Sequence, residues 1–330
     1  ATGSLLGQLL LRDSSQDISE YLASEIFSEL QPDLQQFILD IFPLRRFDAR
    51  LCNQIRGRND SDVFIQMLAR RELFIIPLGS EKRWFRLHDL FSEAARLIIR
   101  QQSLPGPDLR RLADASLARQ LFPEAFEVLV EGKDWEGLAE RLLIWGNQVI
   151  RKGYHMALEE WLASLPATLL AGSVRLQLLQ AWCLLHDNRF AALPPLVAAI
   201  KERLTSEQER DALQVELGLL DAYVERQHCH FEEAIELTQA LLPRLDASEL
   251  PMKSVAYFTL GTDLFRLGHI DAAAEMLRRA INQGKLEQRF SPVVSSLGLL
   301  LWIQQIRGNF IEALNLHKSV MTWVDSYHDD

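Results

Sequence analysis

The chain has 330 residues, 48% of them hydrophobic and 8% aromatic, which is enough for two or three globular units with their own cores and too apolar for a disordered segment. Its formal charge of −10 is concentrated after residue 110, where 21 basic side chains face 30 acidic ones, so phosphate backbones would be repelled and direct nucleic-acid contact is not expected. Three scattered cysteines, Cys52, Cys183 and Cys229, argue against a disulfide framework, and no apolar run approaches the roughly 18–20 residues of a membrane helix, so the expectation is a cytoplasmic protein that does not engage membranes.

The opening "ATGSLLGQLLLRDSS" begins without Met and lacks the basic-then-apolar order of a signal peptide, which reads as a piece cut from a longer protein. Residues 1–25 are expected to be the tail of a helical linker domain, in a helix that places Ile18, Leu22, Ile26 and Leu30 on one face. "QPDLQQFILDIF" starts a second helix near Pro32, where the missing N–H costs nothing. "DARLCNQIRG" is a short helix stopped by Gly57, and "SDVFIQMLARREL" is another with Ser61 as its N-cap and Phe64, Met67 and Leu68 on one side. "LFIIPL" and "WFRLH" flank the polar turn "GSEKR", a hairpin signal. Helices followed by a hairpin and a further helix describe a winged-helix domain, placed at 26–104.

Four blocks in unbroken order, "YLASEIF", "FILDIFPLRRFDARLCNQIRGR", "LARRELFIIPLG" and "WFRLHDLFSEAAR", resemble the winged-helix part of the bacterial signal-transduction ATPases with numerous domains. The resemblance is closest to the large LuxR-type ATP-dependent activators typified by the maltose-regulon activator, and covers about the first 100 residues. In that family "RLHDLFSEA" occupies the place of a Met-His-Asp motif, here with Leu87 at its first position. The resemblance implies that His88 reaches the β-phosphate of ADP in a neighbouring nucleotide-binding domain and holds a resting state closed. An imidazole N–H donating to a phosphate oxygen is suited to that task. Asp89, opening the next helix, is placed to favour its positive end and to cap it. No Gly-x-x-x-x-Gly-Lys-Ser/Thr occurs anywhere in the sequence, so this chain is expected to hold no cofactor by itself and to catalyse nothing; ADP or ATP with Mg would belong to the whole protein.

From Gly106 onward the pattern is almost purely helical. Residues 105–173 are expected to form a helical arm with degenerate repeats such as "FPEA" and "WEGL", and residues 174–330 a tetratricopeptide-like superhelix. Aligning "AWCLLHDNRFAAL", "AYVERQHCHFEEA", "GTDLFRLGHIDAA" and "LWIQQIRGNFIEA" spaces the anchors Phe190, Phe231, Ile270 and Phe310 by 41, 39 and 40 residues. A small residue usually lies nine before each anchor, where the two helices of a pair cross. The predicted fold class is therefore mainly α: winged helix, helical arm, superhelical repeats. The final "TWVDSYHDD" carries no ending signal, so further repeats are expected to follow.

By analogy with tetratricopeptide geometry, the first helix of each pair lines a concave surface and the residue eight before each anchor points inward: Trp182, Tyr223, Thr262 and Trp302, flanked by Arg175, Glu216, Arg226 and Arg266. Aromatic faces and guanidinium forks suit a small polar ligand or a peptide. The bland alternative is that aromatics at helical spacing are core. "HCHF" gathers His228, Cys229 and His230 in the turn of one pair, but adjacent residues are not expected to face one tetrahedral ion, and no metal site is predicted. No nucleophile elbow is present.

Two functions fit these features. In the first, the chain is the regulatory middle of a transcriptional activator: an inducer on the repeats disfavours the ADP-locked form, and ATP exchange then permits self-association at promoters. Its partners are then the inducer and the protein's own nucleotide-binding domain. In the second, the repeats form a protein-interaction scaffold or peptide receptor. "RLHDLF" favours the first, because a plain scaffold has no use for it.

Overall fold

The computed structural model describes residues 27, 29–70, 74–79, 83–186, 189–247 and 252–329. The linker helix expected over 1–25, with Ile18 and Leu22, and also Ile26, lies outside the described residues, as do Ser80, Glu81 and Lys82 of the hairpin turn. The described residues form seventeen α-helices and one two-stranded sheet, a mainly α protein. The chain divides into two compact units, 1–138 and 139–330. Among the described residues, no helix is long and apolar enough to cross a membrane.

In the first unit, α1 (Pro32–Ile41) begins at its proline and buries Leu34, Phe37, Ile38 and Ile41 at the three- and four-residue spacing of one helical face. Helix α2 (Ala49–Arg56) is capped by Asp48, whose carboxylate accepts from the Leu51 N–H at 2.7 Å, and is closed by Gly57 at φ +65°, a left-handed position that a side chain would strain. Helix α3 spans Ser61–Ala69. Ser61 proves to be its first residue rather than the expected N-cap, a position held by Asp60, and its buried hydroxyl accepts from Arg56 at 3.2 Å. The hairpin forms as the sequence predicts, with β1 (Ile75–Leu78) antiparallel to β2 (Trp84–Leu87) and Ile75 opposite Leu87. Phe47 adds a bridge the sequence hides, exchanging backbone hydrogen bonds of 2.7 and 2.8 Å with Phe85. Helix α4 (Asp89–Gln101) follows directly and buries Phe91, Ala94, Ala95 and Ile98.

Arg56 is the polar centre of this unit. Its side chain is 3% exposed, lies over the rings of Phe37 and Phe64 at 5.1 and 4.9 Å, and is paired with Asp60 at 2.5 Å and Asp40 at 3.3 Å. Two paired acids and two ring faces offset the cost of burying its charge. Helices α5 (Leu109–Leu117) and α6 (Phe122–Glu131) pack on each other, and Arg119 in the turn between them forks onto Asp48 at 2.5 and 2.8 Å. One carboxylate thus caps α2 and anchors the α5–α6 turn. Burial pushes the Asp48 carboxyl up, but the Arg119 hydrogen bond, the Leu51 amide and the Arg119 and Arg50 charges outweigh this and hold it below the ordinary carboxylate range.

The second unit continues through α7 (Trp135–Arg151), α8 (His155–Ser164), α9 (Ala167–Gly172), α10 (Val174–His186) and α11 (Leu193–Arg203). Three helix pairs follow: α12 (Glu207–Gln227) with α13 (Phe231–Ala247), α14 (Lys253–Arg266) with α15 (Ile270–Leu286), and α16 (Phe290–Ile306) with α17 (Phe310–Asp329). The anchors Phe231, Ile270 and Phe310 each open the second helix of a pair. Phe190 instead opens a single 3-10 turn, and α11 starts at Leu193, with Pro194 and Pro195 in the first turn where their missing N–H groups cost least. Ala181, Ala222 and Gly261, the small residues nine before the anchors, are buried. A Cβ on Gly261 would come within 2.8 Å of the Leu277 side chain and 3.2 Å of its backbone nitrogen, so α14 and α15 touch at a point only glycine fits without adjustment. Phe310, although bulky and apolar, is 66% exposed, because no described element covers that face of its helix pair.

Two long-range contacts shape this unit. Glu287, just past α15, accepts from the Lys253 and Ser254 amides at 3.1 and 3.2 Å and from Ser254 Oγ at 2.5 Å, capping α14 from its neighbour. Tyr327, in the last helix, donates its hydroxyl to the carbonyl of Arg151 at 2.7 Å and lies 3.2 Å from that of Gln288, so α17 returns to the end of α7 and closes the curl.

Replacing Gly261 with Val should lower stability by about 1–3 kcal/mol, measured as urea unfolding of the whole chain, because the added branches overfill a packed crossing. Asp48→Asn keeps an N-cap but loses the charge, and should cost roughly 1–2 kcal/mol near neutral pH. Since the native Asp48 value is lowered, its contribution is complete above the ordinary carboxylate pKa of about 3.9 and is lost as pH falls through the lowered one. The gap between wild type and variant should therefore close in acid, and a gap that widens there would contradict the assignment.

Candidate ligand cavity and the His88 junction

His88 stands between β2 and α4, half-buried, with its N–H donating to the Phe74 carbonyl at 2.8 Å. It is itself the N-cap of α4: Nδ1 accepts from the Leu90 N–H at 3.4 Å, which assigns the ring proton to Nε2. Asp89 is not the cap that the sequence suggests. It is the first helical residue, its side chain is 84% exposed, and it faces Arg86 at 3.5 Å. The correction has a simple cause: a capping side chain must sit on the extended residue before the helix, and that residue is His88, at φ −64° and ψ 136°. Beside the junction lies a cleft of about 320 Å3 whose walls include Arg45, Arg86 and Arg96 with Asp89 and Glu131. His88 itself does not line this cleft; its neighbours Leu87 and Asp89 do.

In the second unit a cavity of about 500 Å3 opens where the first helices of the pairs converge. Helix α14 contributes Val255, Phe258, Thr262 and Arg266, one stripe at helical spacing. Tyr223 and Arg226 come from the last turns of α12, Trp182 from α10, and Phe231 from the start of α13. Arg226 lies 4.5 Å from the centre of the Tyr223 ring, and it forks onto Asp263 at 2.5 and 3.0 Å while also donating to the Thr259 carbonyl at 3.2 Å. Asp263 is fully buried; burial pushes its carboxyl above the ordinary range, and the Arg226 fork opposes that shift. The indole N–H of Trp182 donates to Glu216 at 3.0 Å, fixing the ring's orientation in the wall. Arg266 lies 5.8 Å from the Phe231 ring centre.

Of the residues singled out from sequence, Trp182, Tyr223, Arg226, Arg266 and Thr262 meet around this one cavity. Trp302, Glu216 and Arg175 do not line it. Trp302 is 53% exposed and packs 5.3 Å from the Phe265 ring, because α16 meets the cavity at its first turns and Trp302 lies seven residues past Ser295, about 10 Å farther along the helix. Glu216 is buried behind the wall, bonded to Trp182 and, at 3.4 Å, to Arg175. Sequence reasoning missed Arg151, Arg289, Ser291 and Ser295, which reach the cavity from the end of α7 and the first turns of α16. They sit outside the repeat register, so periodicity carried no sign of them. Phe258 was within reach, since it shares the helical face of Thr262.

Burial pushes the Arg289 guanidinium down to about 10, the Glu287 and Glu216 charges opposing that shift and the Arg151 charge adding to it, so it stays charged at neutral pH. At the other rim, Glu225, His228 and His230 bring one ligand atom each within 4.8 Å of one another. This departs from the expectation that the histidines would diverge: Cys229 between them turns at φ +63° and brings both rings to one side. His230 Nδ1 is 2.8 Å from Glu225, and that hydrogen bond raises the imidazole above its ordinary value.

A family profile described as the MalT winged helix domain matches residues 23–106. The chain is 28% identical over 295 residues to the HTH-type transcriptional regulator MalT of Vibrio cholerae, covering 87% of this chain and 32% of that protein. It is 28% identical over 271 residues to MalT of Vibrio parahaemolyticus, covering 79% and 29%, and 27% identical over 266 residues to MalT of Cronobacter sakazakii, again covering 79% and 29%. The chain therefore spans about a third of the length of the curated relatives it matches. The chain is MalT-like: its residues 23–106 match the MalT winged helix domain, and it resembles MalT-type transcriptional regulators along most of its length.

Proposed function

We propose that this chain is the regulatory and effector-sensing part of a cytoplasmic, MalT-type transcriptional activator. The repeats take up an inducer in the cavity of the second unit. Inducer binding releases a resting state in which His88 holds ADP carried by the protein's own nucleotide-binding domain, and ATP then permits self-association. The chain performs no catalysis of its own in this reading, and ADP or ATP with Mg enters only with the rest of the protein.

The observation that carries the sensing role is the convergence of Trp182 from α10, Tyr223 and Arg226 from α12 and Arg266 from α14 on one cavity of about 500 Å3, a size in the range of small-molecule sites. The His88 role is supported by its place between Leu87 and Asp89, which line an arginine-containing cleft, with Nδ1 accepting from the Leu90 amide so that Nε2 carries the proton a phosphate oxygen would accept.

A thermal-shift screen of metabolites and short peptides should find compounds whose stabilisation is lost in Tyr223→Ala and kept in Trp302→Ala, since Trp302 lies away from the cavity. Equal shifts in both variants would place the ligand elsewhere. In the full-length protein, His88→Ser should speed ADP release at least tenfold and raise activity without inducer. Serine retains an N-cap acceptor for α4 but cannot reach a phosphate, so an unchanged release rate would count against the latch.

A further inference from the structure

We infer that Glu225, His228 and His230 bind a divalent transition-metal ion in the turn between α12 and α13, with Zn2+ the best match to two imidazoles and a carboxylate. This goes beyond the sensor reading and does not rest on it. One ligand atom from each of the three residues lies within 4.8 Å of the others. Two imidazoles on one tetrahedral zinc have ring centres about 5 Å apart, and neighbouring ligand atoms about 3.3 Å apart. The His228 and His230 ring centres are 5.8 Å apart with their planes inclined at 49°, and His230 Nδ1 is 2.8 Å from Glu225 Oε2. The remaining adjustment falls on two exposed imidazoles, which rotate without disturbing a core. The ion takes the place of the proton between His230 and Glu225, which leaves to solvent.

The backbone already gathers the three residues. The Glu225 carbonyl accepts from the N–H groups of both His228 and His230, at 3.0 and 3.1 Å, while Cys229 turns at φ +63°. The same turn recurs in the next two pairs, where the His269 N–H bonds the Leu264 carbonyl and the Asn309 N–H bonds that of Gln304, each at 2.9 Å, with Gly268 and Gly308 in the left-handed position. In those turns Leu264 and Leu267, and Gln304 and Arg307, stand where Glu225 and His228 stand here, so of the three pairs only α12–α13 carries the donor set. The local field suits a cation: Glu225 and Glu233 both favour positive charge on the His230 ring, and Arg226 is turned to Asp263. Arg226, Gln227, Cys229 and Phe231 line the cavity, whereas the three ligands do not, so the ion sits beside the cavity, on the segment that forms one side of its mouth. Three protein ligands on an exposed turn leave the fourth position to water.

The test is a calorimetric titration of the untagged whole chain with Zn2+, repeated with Mg2+ and Ca2+. Zn2+ should bind at one equivalent, and the two hard cations should not bind, since imidazole donors select against them. Affinity for Zn2+ should fall at least tenfold in His228→Ala and in His230→Ala, and severalfold in Glu225→Gln, which keeps the size of the side chain and removes its charge. It should be kept in Cys229→Ser and in His269→Ala, the histidine at the matching place in the next pair. All five changes are at exposed or half-buried positions, and an unchanged melting temperature without metal would show each variant folded. Zinc bound equally well by wild type, His228→Ala and His230→Ala would mean an adventitious ion only and would overturn the site. Loss of binding in Cys229→Ser would overturn the ligand set, and Mg2+ binding as tightly as Zn2+ would overturn the choice of metal. None of these failures would touch the sensor reading, whose ligand enters the cavity itself.

Discussion

A buried carboxylate must be matched where it sits, and in the repeat unit the acids Glu287, Glu216 and Asp263 are all matched within the protein, two of them by residues of the cavity wall. Glu287 is turned toward two backbone amides, Glu216 toward an indole and a guanidinium, and Asp263 toward the fork of Arg226. An unpaired buried charge costs several kcal/mol, so none of these side chains can swing inward without a replacement partner. The polarity of the cavity follows from that arrangement. With the acids committed, what remains at the lining is aromatic surface, hydroxyls and guanidinium groups.

The same economy of polar groups governs the winged-helix unit. Asp48 both caps α2 and receives Arg119, and His88 both caps α4 and, through its backbone N–H, bonds the Phe74 carbonyl. Arg56 does for the core what these do for the edges, filling the space between two phenylalanine rings while two acids meet its charge. Each of these residues couples a local element to a neighbour, which is how short helices of eight or nine residues, too short to be stable alone, are held in place.

Much of this was legible in the chain. The hairpin, the stop at Gly57, the start at Pro32 and the openings of α13, α15 and α17 at their anchors all follow from local chemistry acting within a few residues. Tyr223, Arg226, Thr262 and Arg266 could be placed because the repeat period carries register from one pair to the next. What escaped was non-local or depended on orientation. Arg151 and Arg289 enter through a contact between residues 176 apart, Phe47 pairs with a strand nearly forty residues away, and the cap of α14 comes from Glu287, more than thirty residues on, past the end of its partner helix. Trp302 misled because the period predicts a position on a helix but not where along its length the cavity ends.

The Tyr327 hydroxyl has a consequence for how such a domain can evolve. Open solenoids gain and lose repeats easily, since each unit touches only its neighbours. Here α17 hydrogen-bonds to the end of α7, so inserting or deleting a helix pair between them would carry the phenol away from its two carbonyls. Between α7 and α17 the spacing is therefore held by a single phenol, and a change of length there would need a new partner for it.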